Sequence, residues 1–390
     1  MWCVQLKKSD FIPRGEIICA KFAGNRNLQP DMKIFRLGAA AATAALTISF
    51  NAAADTVLPS TTDPDSLCSQ QIRLVGEQVL MFQRDTGGWP KNVDMATPLD
   101  DPAMKAVLAD KGRRDDSTID NGATTSQIWF LSRLYGATRD LRYRESVRRG
   151  LRYLLDAQYK ESGGWPQFWP VHKGYRGHIT YNDNAMAHVL YLLRGVARGD
   201  EPFGGDTFTD EMRREASEAF DRGIDCILAT QIKVDGRPTV WCQQHDSVTL
   251  APVGARAFEL PAYVSAESVP LVKLLMTIEQ PDSAVIKAVE GAMRWFEANK
   301  ITGYRFVRDK KPLLERNARL VADPEAGPIW ARYYDLEECK PMFSDRDGVA
   351  RRHLEDLGLE RRNGYAWYTD NPADLYAAYE RWLKRLEKSN

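Results

Sequence analysis

The 390-residue chain is poor in the side chains that bind soft metals, with five histidines and six cysteines. No histidine stands in an H-E-x-x-H box, which excludes the helical zinc-hydrolase site. No Gly-x-Ser-x-Gly elbow is present, nor a phosphate-cradling or dinucleotide-binding glycine loop. An excess of one charge is missing too, with 53 Lys and Arg against 53 Asp and Glu. A balanced chain projects no long-range field toward nucleic acid or a membrane surface, so a polyanionic ligand must be held by a local cluster of cations. Past residue 54 there is no apolar run of the roughly 20 residues that a membrane span needs.

What is present divides the chain unequally. Residues 1–31 mix charges, prolines and two cysteines without periodicity, and Met32-Lys33-Ile34-Phe35-Arg36 opens a different pattern. Two basic residues precede an alanine-rich apolar stretch from Leu37 to Phe50, and Ala52-Ala53-Ala54 supplies small residues for cleavage. This is the three-part layout of a secretory signal. It predicts an untranslated extension over 1–31, a signal over 32–54 and a protein exported to the periplasm or medium. Segment 55–65, with Pro59, Pro64 and several Ser and Thr, predicts a leader without fixed structure, and residues 66–388 one domain. Without residues 1–54 the chain holds 46 basic and 50 acidic side chains. The four cysteines left are Cys68, Cys226, Cys242 and Cys339. An even number in an exported protein permits disulfides, and their wide spacing is equally that of free thiols.

Internal repetition is the main organising signal. An amphipathic helix ends in Gln83 before Gly87-Gly88-Trp89-Pro90, and another ends in Gln158 before Gly163-Gly164-Trp165-Pro166. Weaker copies run from Ala219 to Gln231 before Asp235-Gly236, and from Val289 to Asn299 before Gly303-Tyr304. A second helix follows each loop, predicted over Thr125–Tyr135, Ala185–Arg198 and Ser265–Ile278 from apolar intervals of three and four. Such units stack as αα-hairpins, which predicts a mainly α fold, an (α/α) toroid with its loops at one rim. Short strands are expected near Thr239–Trp241, Tyr304–Val307 and Tyr365–Tyr368.

Asp120-Asn121 and Asp183-Asn184 fall in the same place of successive repeats, just ahead of the second helix. Asp and Asn are favoured helix N-caps. Carboxylates at equivalent rim positions also converge across a groove, where a hard cation such as Ca²⁺ takes 6–8 oxygen ligands. Arg256, Arg332 and Arg346 offer rigid forks that match carboxylates, and each serves as well in a structural ion pair. Trp89, Trp165 and Trp169 are sugar platforms or staples between repeats, and recurrence in register favours staples for the first two. Of the histidines, His245 in Gln243-Gln244-His245-Asp246 is the one expected to face a groove.

Taken together these stretches are similar to the family 10 polysaccharide lyases, pectate lyases with an (α/α) toroid fold. The resemblance is carried by Gly87 to Asn92, Ser117 to Thr124, Gly163 to Gln167, Ile179 to Met186, Trp241 to His245, Ala255 to Glu259 and Phe306 to Gly348, in order. It implies β-elimination on polygalacturonate with calcium as cofactor. Position by position, it implies Asp120, Asn121 and Asp183 as metal ligands, with Asp120 also serving catalysis. It further implies Arg346 as catalytic base and Arg256 and Arg332 as grips on substrate carboxylates; His245 and Trp169 join them as candidate substrate contacts. The expected partner is pectate, handled by a monomer with no nucleic acid and no membrane in its mature form. Two other readings stay open: an inverting glycoside hydrolase using Asp120 and Asp183 as acid and base, which needs them about 6.5–9.5 Å apart, and a non-catalytic uronate-binding protein.

Overall fold

The computed structural model describes residues 58–389. The extension and signal expected over 1–54 lie outside the described residues. The leader expected over 55–65 is docked from Leu58 onward: Leu58 is buried in the main core, and Arg133 donates to the carbonyls of Ser60 and Thr61.

Helix α1 (Pro64–Leu67) leads into α2 (Gln70–Phe82), and a short α3 (Asp101–Ala109) follows. Three hairpins come next: α4 (Thr125–Thr138) with α5 (Leu141–Ala157), α6 (Ala185–Arg198) with α7 (Asp210–Thr230), and α8 (Ser265–Leu275) with α9 (Ser283–Ala298). The chain closes with α10 (Leu359–Gly364) and α11 (Ala373–Ser389). Helix α4 touches α6, and α6 touches α8, forming an inner row; α2, α5, α7 and α9 touch in turn to form the outer row. This is the helical toroid that the repeats predict. The predicted second helices match α4, α6 and α8, with α6 starting and ending where expected.

The two rows begin differently. Each outer helix opens on a capped end: Ser69, Asp140, Thr209 and Asp282 accept from the first-turn N–H groups of α2, α5, α7 and α9. The inner helices α4, α6 and α8 have no side-chain cap. Their N-termini therefore turn partial positive charge toward the rim that carries the candidate residues, with the Thr125 and Ser265 N–H groups held by loop carbonyls instead.

The rim is laced by short antiparallel pairings between neighbouring loops. Ile179–Thr180 pairs with Gln244–His245, Tyr263–Val264 with Tyr333–Tyr334, and Trp330–Ala331 with Tyr368–Thr369. Strand Tyr304–Val307 forms as expected, paired with Arg319–Ala322. Thr239–Trp241 is not a strand: the nearby hairpin is Lys233–Val234 with Arg237–Pro238, and Trp241 is buried with its indole N–H on the Ile227 carbonyl. The strand expected at Tyr365–Tyr368 starts only at Tyr368.

Trp89, Trp165 and Trp241 fasten each loop to the helix before it, and the first two rings also pack on Gly150 and Gly223 of the next outer helix. The Trp89, Trp165 and Trp241 indoles donate to Val79, Leu154 and Ile227 carbonyls, each at 2.7 Å, at the end of the preceding outer helix. All four described cysteines are free thiols, with Cys226 and Cys242 buried. Among the described residues no helix is long and apolar enough to cross a membrane.

Candidate active site

The loop before each inner helix sets the site. In the first repeat the Thr118 N–H bonds the Trp89 carbonyl; Thr180 does the same with Trp165, and Val264 with Trp241. These anchors fix the alignment of the repeats, and it differs by one residue from the sequence expectation. Asn121 and Asp183 both take left-handed backbone, at φ 53° and 49°, three residues past the anchor. Asn and Asp tolerate that conformation better than most residues. Asp120 therefore matches Asn182, and Asp183 matches Asn121; the third-repeat counterpart of Asp183 is Glu267. Neither Asp120 nor Asp183 caps a helix, since α4 and α6 lack side-chain caps.

Asp120 is buried and ion-pairs with Lys91 through Oδ2, while its Oδ1 has no partner. Asn121 donates to Asn92 at 2.8 Å, which leaves its amide oxygen for another partner. Asp183 opens to solvent on one side and takes a 2.6 Å hydrogen bond from Asn182. Loss of hydration along its inner side, then the charges of Asp120 and Glu267, push its carboxyl up to about 6, against the pull of Arg332 and Arg256. The Asp120 turn packs on the Asp183 turn, that turn packs on α8, and Arg332 pairs with Glu267, so charged side chains from three repeats and the following loop lie together.

The arginines enter from the far side. Arg332 is nearly buried and ion-pairs with Glu267, its guanidinium 4.8 Å from the Tyr365 ring centre. Burial opposes its charge, and Glu267 overcomes that and raises its pKa. Arg256 is half-exposed; it forks onto buried Glu259, which raises its pKa, and lies 4.8 Å from the Phe258 ring. Behind them Glu259 accepts from the Tyr365 hydroxyl at 2.7 Å, which lies 2.6 Å from the Tyr333 hydroxyl, which donates to Gln243. Asp120 Oδ1, Glu267 Oε2 and Arg332 Nε are buried without hydrogen-bond partners. Buried polar atoms in native structures are nearly always satisfied, so three orphans within this one cluster of charges suit a polar ligand.

The family model of the pectic acid lyases matches residues 83–376, most of the described chain. The chain belongs to the pectic acid lyase family. It is similar, at 32% identity and a TM-score of 0.71, to a solved point mutant of a family 10 polysaccharide lyase from Cellvibrio cellulosa in complex with trigalacturonic acid. That likeness covers 82% of this chain and 98% of the other. A second family 10 polysaccharide lyase structure from the same organism matches with a TM-score of 0.70 and 32% identity, over 81% of this chain and 95% of the other. No curated protein sequence matches the chain.

Within this pectic acid lyase the other candidates divide. Arg346 is exposed at the edge of the groove, 5.9 Å from the same Phe258 ring that Arg256 covers. It pairs with Glu360 at 3.1 Å, and that pair raises its pKa and brings Glu360 down to about 2. Of the flanking acids, Asp345 accepts from the Arg346 and Gly358 N–H groups and its charge adds to the rise of the Arg346 pKa, while Asp347 pairs with Arg351. His245 does not face the groove. It is fully buried, its Nδ1 donating to the Leu250 carbonyl at 2.9 Å and its Nε2 accepting from the Cys242 N–H, and burial lowers its pKa to about 4. A neutral ring with both nitrogens engaged has nothing left for a sugar. Trp169, its backbone N–H on the Ser117 carbonyl, lines an open pocket of about 610 Å³ with Asp156, Lys160 and Arg222.

Sequence reasoning passed over Lys91, Glu259, Glu267 and Glu360. Glu267 was findable: it stands three residues after its anchor Val264, as Asp183 stands after Thr180. Glu259 lies three after Arg256, an ion-pair spacing inside a motif already singled out. Nothing local marks Lys91 or Glu360, whose partners are distant in sequence.

Proposed function

We propose that this polysaccharide lyase is an exported pectate lyase that cleaves de-esterified α-1,4-polygalacturonate by calcium-assisted β-elimination to 4,5-unsaturated oligogalacturonides. The reading is carried by the convergence of Asp120, Asp183 and Glu267 with Arg332 and Arg256 in one groove, where three buried polar atoms lack partners. A proton leaves C5 for a base, its electron pair forms the C4–C5 double bond, and the C4–O bond breaks. The C5–H is a poor acid beside an ionised carboxylate, so positive charge on that carboxylate has to come first. Preorganised charge of this kind is usually the largest catalytic contribution.

Arg332 and Arg256 supply fixed cations, each braced by a glutamate and an aromatic face. The uncapped N-termini of α4, α6 and α8 add partial positive charge at the same rim. Asp120, Asp183 and Asn121 form an all-oxygen set that suits calcium. The unpartnered Asp120 Oδ1 and the mutual repulsion of Asp120 and Asp183 fit a cation between them. Among the described residues no group of three or more acidic, histidine or cysteine side chains is arranged to hold a metal alone, so water or substrate oxygens would complete its shell. Bound there, calcium would neutralise the uronate carboxylate. Arg346 is the proposed base, a role that requires substrate to part it from Glu360.

Polygalacturonate incubated with the enzyme should develop the ultraviolet absorbance of an unsaturated uronate, and a chelator should stop it. The raised Asp183 carboxyl is also what a hydrolase acid needs, so saturated products formed in chelator would replace this reading with the hydrolase.

A further inference from the structure

The chain from Ser162 to Asn182 contains no acidic residue, yet it carries Lys173 and Arg176 together with His172 and His178. This loop joins the Gly-Trp turn of the second repeat to the Asp183 turn. Its backbone is pinned beside Asp120. The Gln167 carbonyl accepts from the Ile119 N–H at 3.2 Å and from the Thr118 hydroxyl, and the Gln167 N–H donates to the Arg176 carbonyl at 3.0 Å. Thr118 bridges to Phe168. The loop therefore places Arg176 at a fixed remove from the carboxylate turn.

The side chains complete the arrangement. The guanidinium of Arg176 lies 5.2 Å from the centre of the Phe168 ring, and Lys91 Nζ lies 5.8 Å from the same centre. Lys91 is committed to Asp120. Arg176 is exposed, and among the described residues it has no carboxylate within ion-pairing distance, unlike Arg256, Arg332 and Arg346. A cation held on an aromatic face at the margin of a polyanion groove, with no acid to neutralise it, is free to meet an anion.

We infer that Arg176, seated on Phe168, forms a distal uronate subsite at the Asp120 end of the groove, away from Arg256 and Arg332. It takes the carboxylate of a galacturonate remote from the bond being cut. This rests on the pectate lyase reading. It adds a determinant of chain-length preference: longer substrates reach Arg176 and a trimer bound toward Arg256 and Arg332 does not. Remote contacts made equally in ground and transition states lower KM without raising kcat.

The test uses the mature chain with Arg176→Ala, Arg176→Lys and Arg176→Glu, assayed by ultraviolet absorbance on polygalacturonate and trigalacturonate. Arg176→Ala is expected to raise KM on the polymer about tenfold, the loss of one charge-assisted contact, with kcat within about twofold. KM on the trimer should stay near wild type. Arg176→Lys should recover most of the polymer KM, and Arg176→Glu should exceed the alanine loss at low salt and approach it as salt screens the repulsion. Equal KM for wild type and Arg176→Ala on the polymer would overturn the subsite, as would an equal rise on trimer and polymer. A wild-type chain that makes no unsaturated product would instead overturn the lyase reading beneath it. Arg176 donates no side-chain hydrogen bond within the described fold, so unchanged circular dichroism is expected for all three variants.

Discussion

Asp183 shows how packing raises one carboxylate. Its folded pKa of about 6 stands above the ordinary value of 3.8, because its charge is crowded by Asp120 and Glu267 and partly stripped of water. A raised acid favours the folded state in its protonated form. Stability from this group is thus full below about pH 4 and lost as pH rises through 6. Asp183→Asn should raise the melting temperature of the metal-free protein above pH 6, read by thermal unfolding, while lowering kcat/KM on pectate by about 100-fold or more. If Asp183 holds calcium as proposed, protons compete for the same oxygens, so calcium affinity measured by titration should fall as pH drops below about 6. Arg346 poses the opposite problem, for Glu360 strengthens its hold on the proton that a base must shed. Glu360→Gln should move the rising alkaline limb of the kcat/KM profile to lower pH. An unmoved limb would remove Arg346 from the base role.

At the scale of the element, the repeat is a hydrogen-bonding device more than a hydrophobic one. Gln83, Gln158 and Gln231 each donate to a carbonyl of their own loop and to a carbonyl of the next outer helix, at 2.8–2.9 Å. In the first two copies an arginine of that next helix, Arg149 or Arg222, donates back to the glutamine oxygen. The loop glycines let the backbones meet: Gly163 has φ +73°, and a Cβ there would stand 2.3 Å from the Arg222 carbonyl oxygen. Gln158→Ala strands the Gly163 and Ala219 carbonyls and one face of Arg222. It should destabilise by about 2 kcal/mol or more in urea unfolding, with turnover per folded molecule little changed. Trp165→Phe loses the bond to Leu154 and leaves part of the buried indole's volume empty, and should cost about 2 kcal/mol or more by the same measurement.

At the scale of the whole molecule, no single repeat owns the groove. Asp120 comes from the first, Asp183 from the second, Glu267 from the third and Arg332 from the bend just before the strand that pairs with the third. A ligand that bridges them should hold the loops of the rim together. With the Arg346→Ala protein, oligogalacturonate and calcium together should raise the melting temperature by more than the sum of each alone. At a hundredfold excess over Kd the stabilisation should be about 2.7 kcal/mol, and each ligand should tighten the other by the same factor. Simple addition of the two shifts would mean that metal and sugar do not share Asp120 and Asp183.

The sequence by itself determined the helical hairpins and their order, because apolar intervals and the Gln and Gly-Trp signals act within some twenty residues. It also placed Asp120, Asp183, Arg256 and Arg332 in motifs that the fold gathers into one groove. Tertiary structure alone decided what depends on distance across repeats. It set the one-residue offset that aligns Asp183 with Asn121 and Glu267, because backbone pairing to the Gly-Trp loops fixes that register. It turned His245 inward, because both its nitrogens find backbone partners there, and it joined Arg346 to Glu360 and Lys91 to Asp120. Charges that are far apart along the chain acquire their pKa and their role only when packing brings them within Coulomb range.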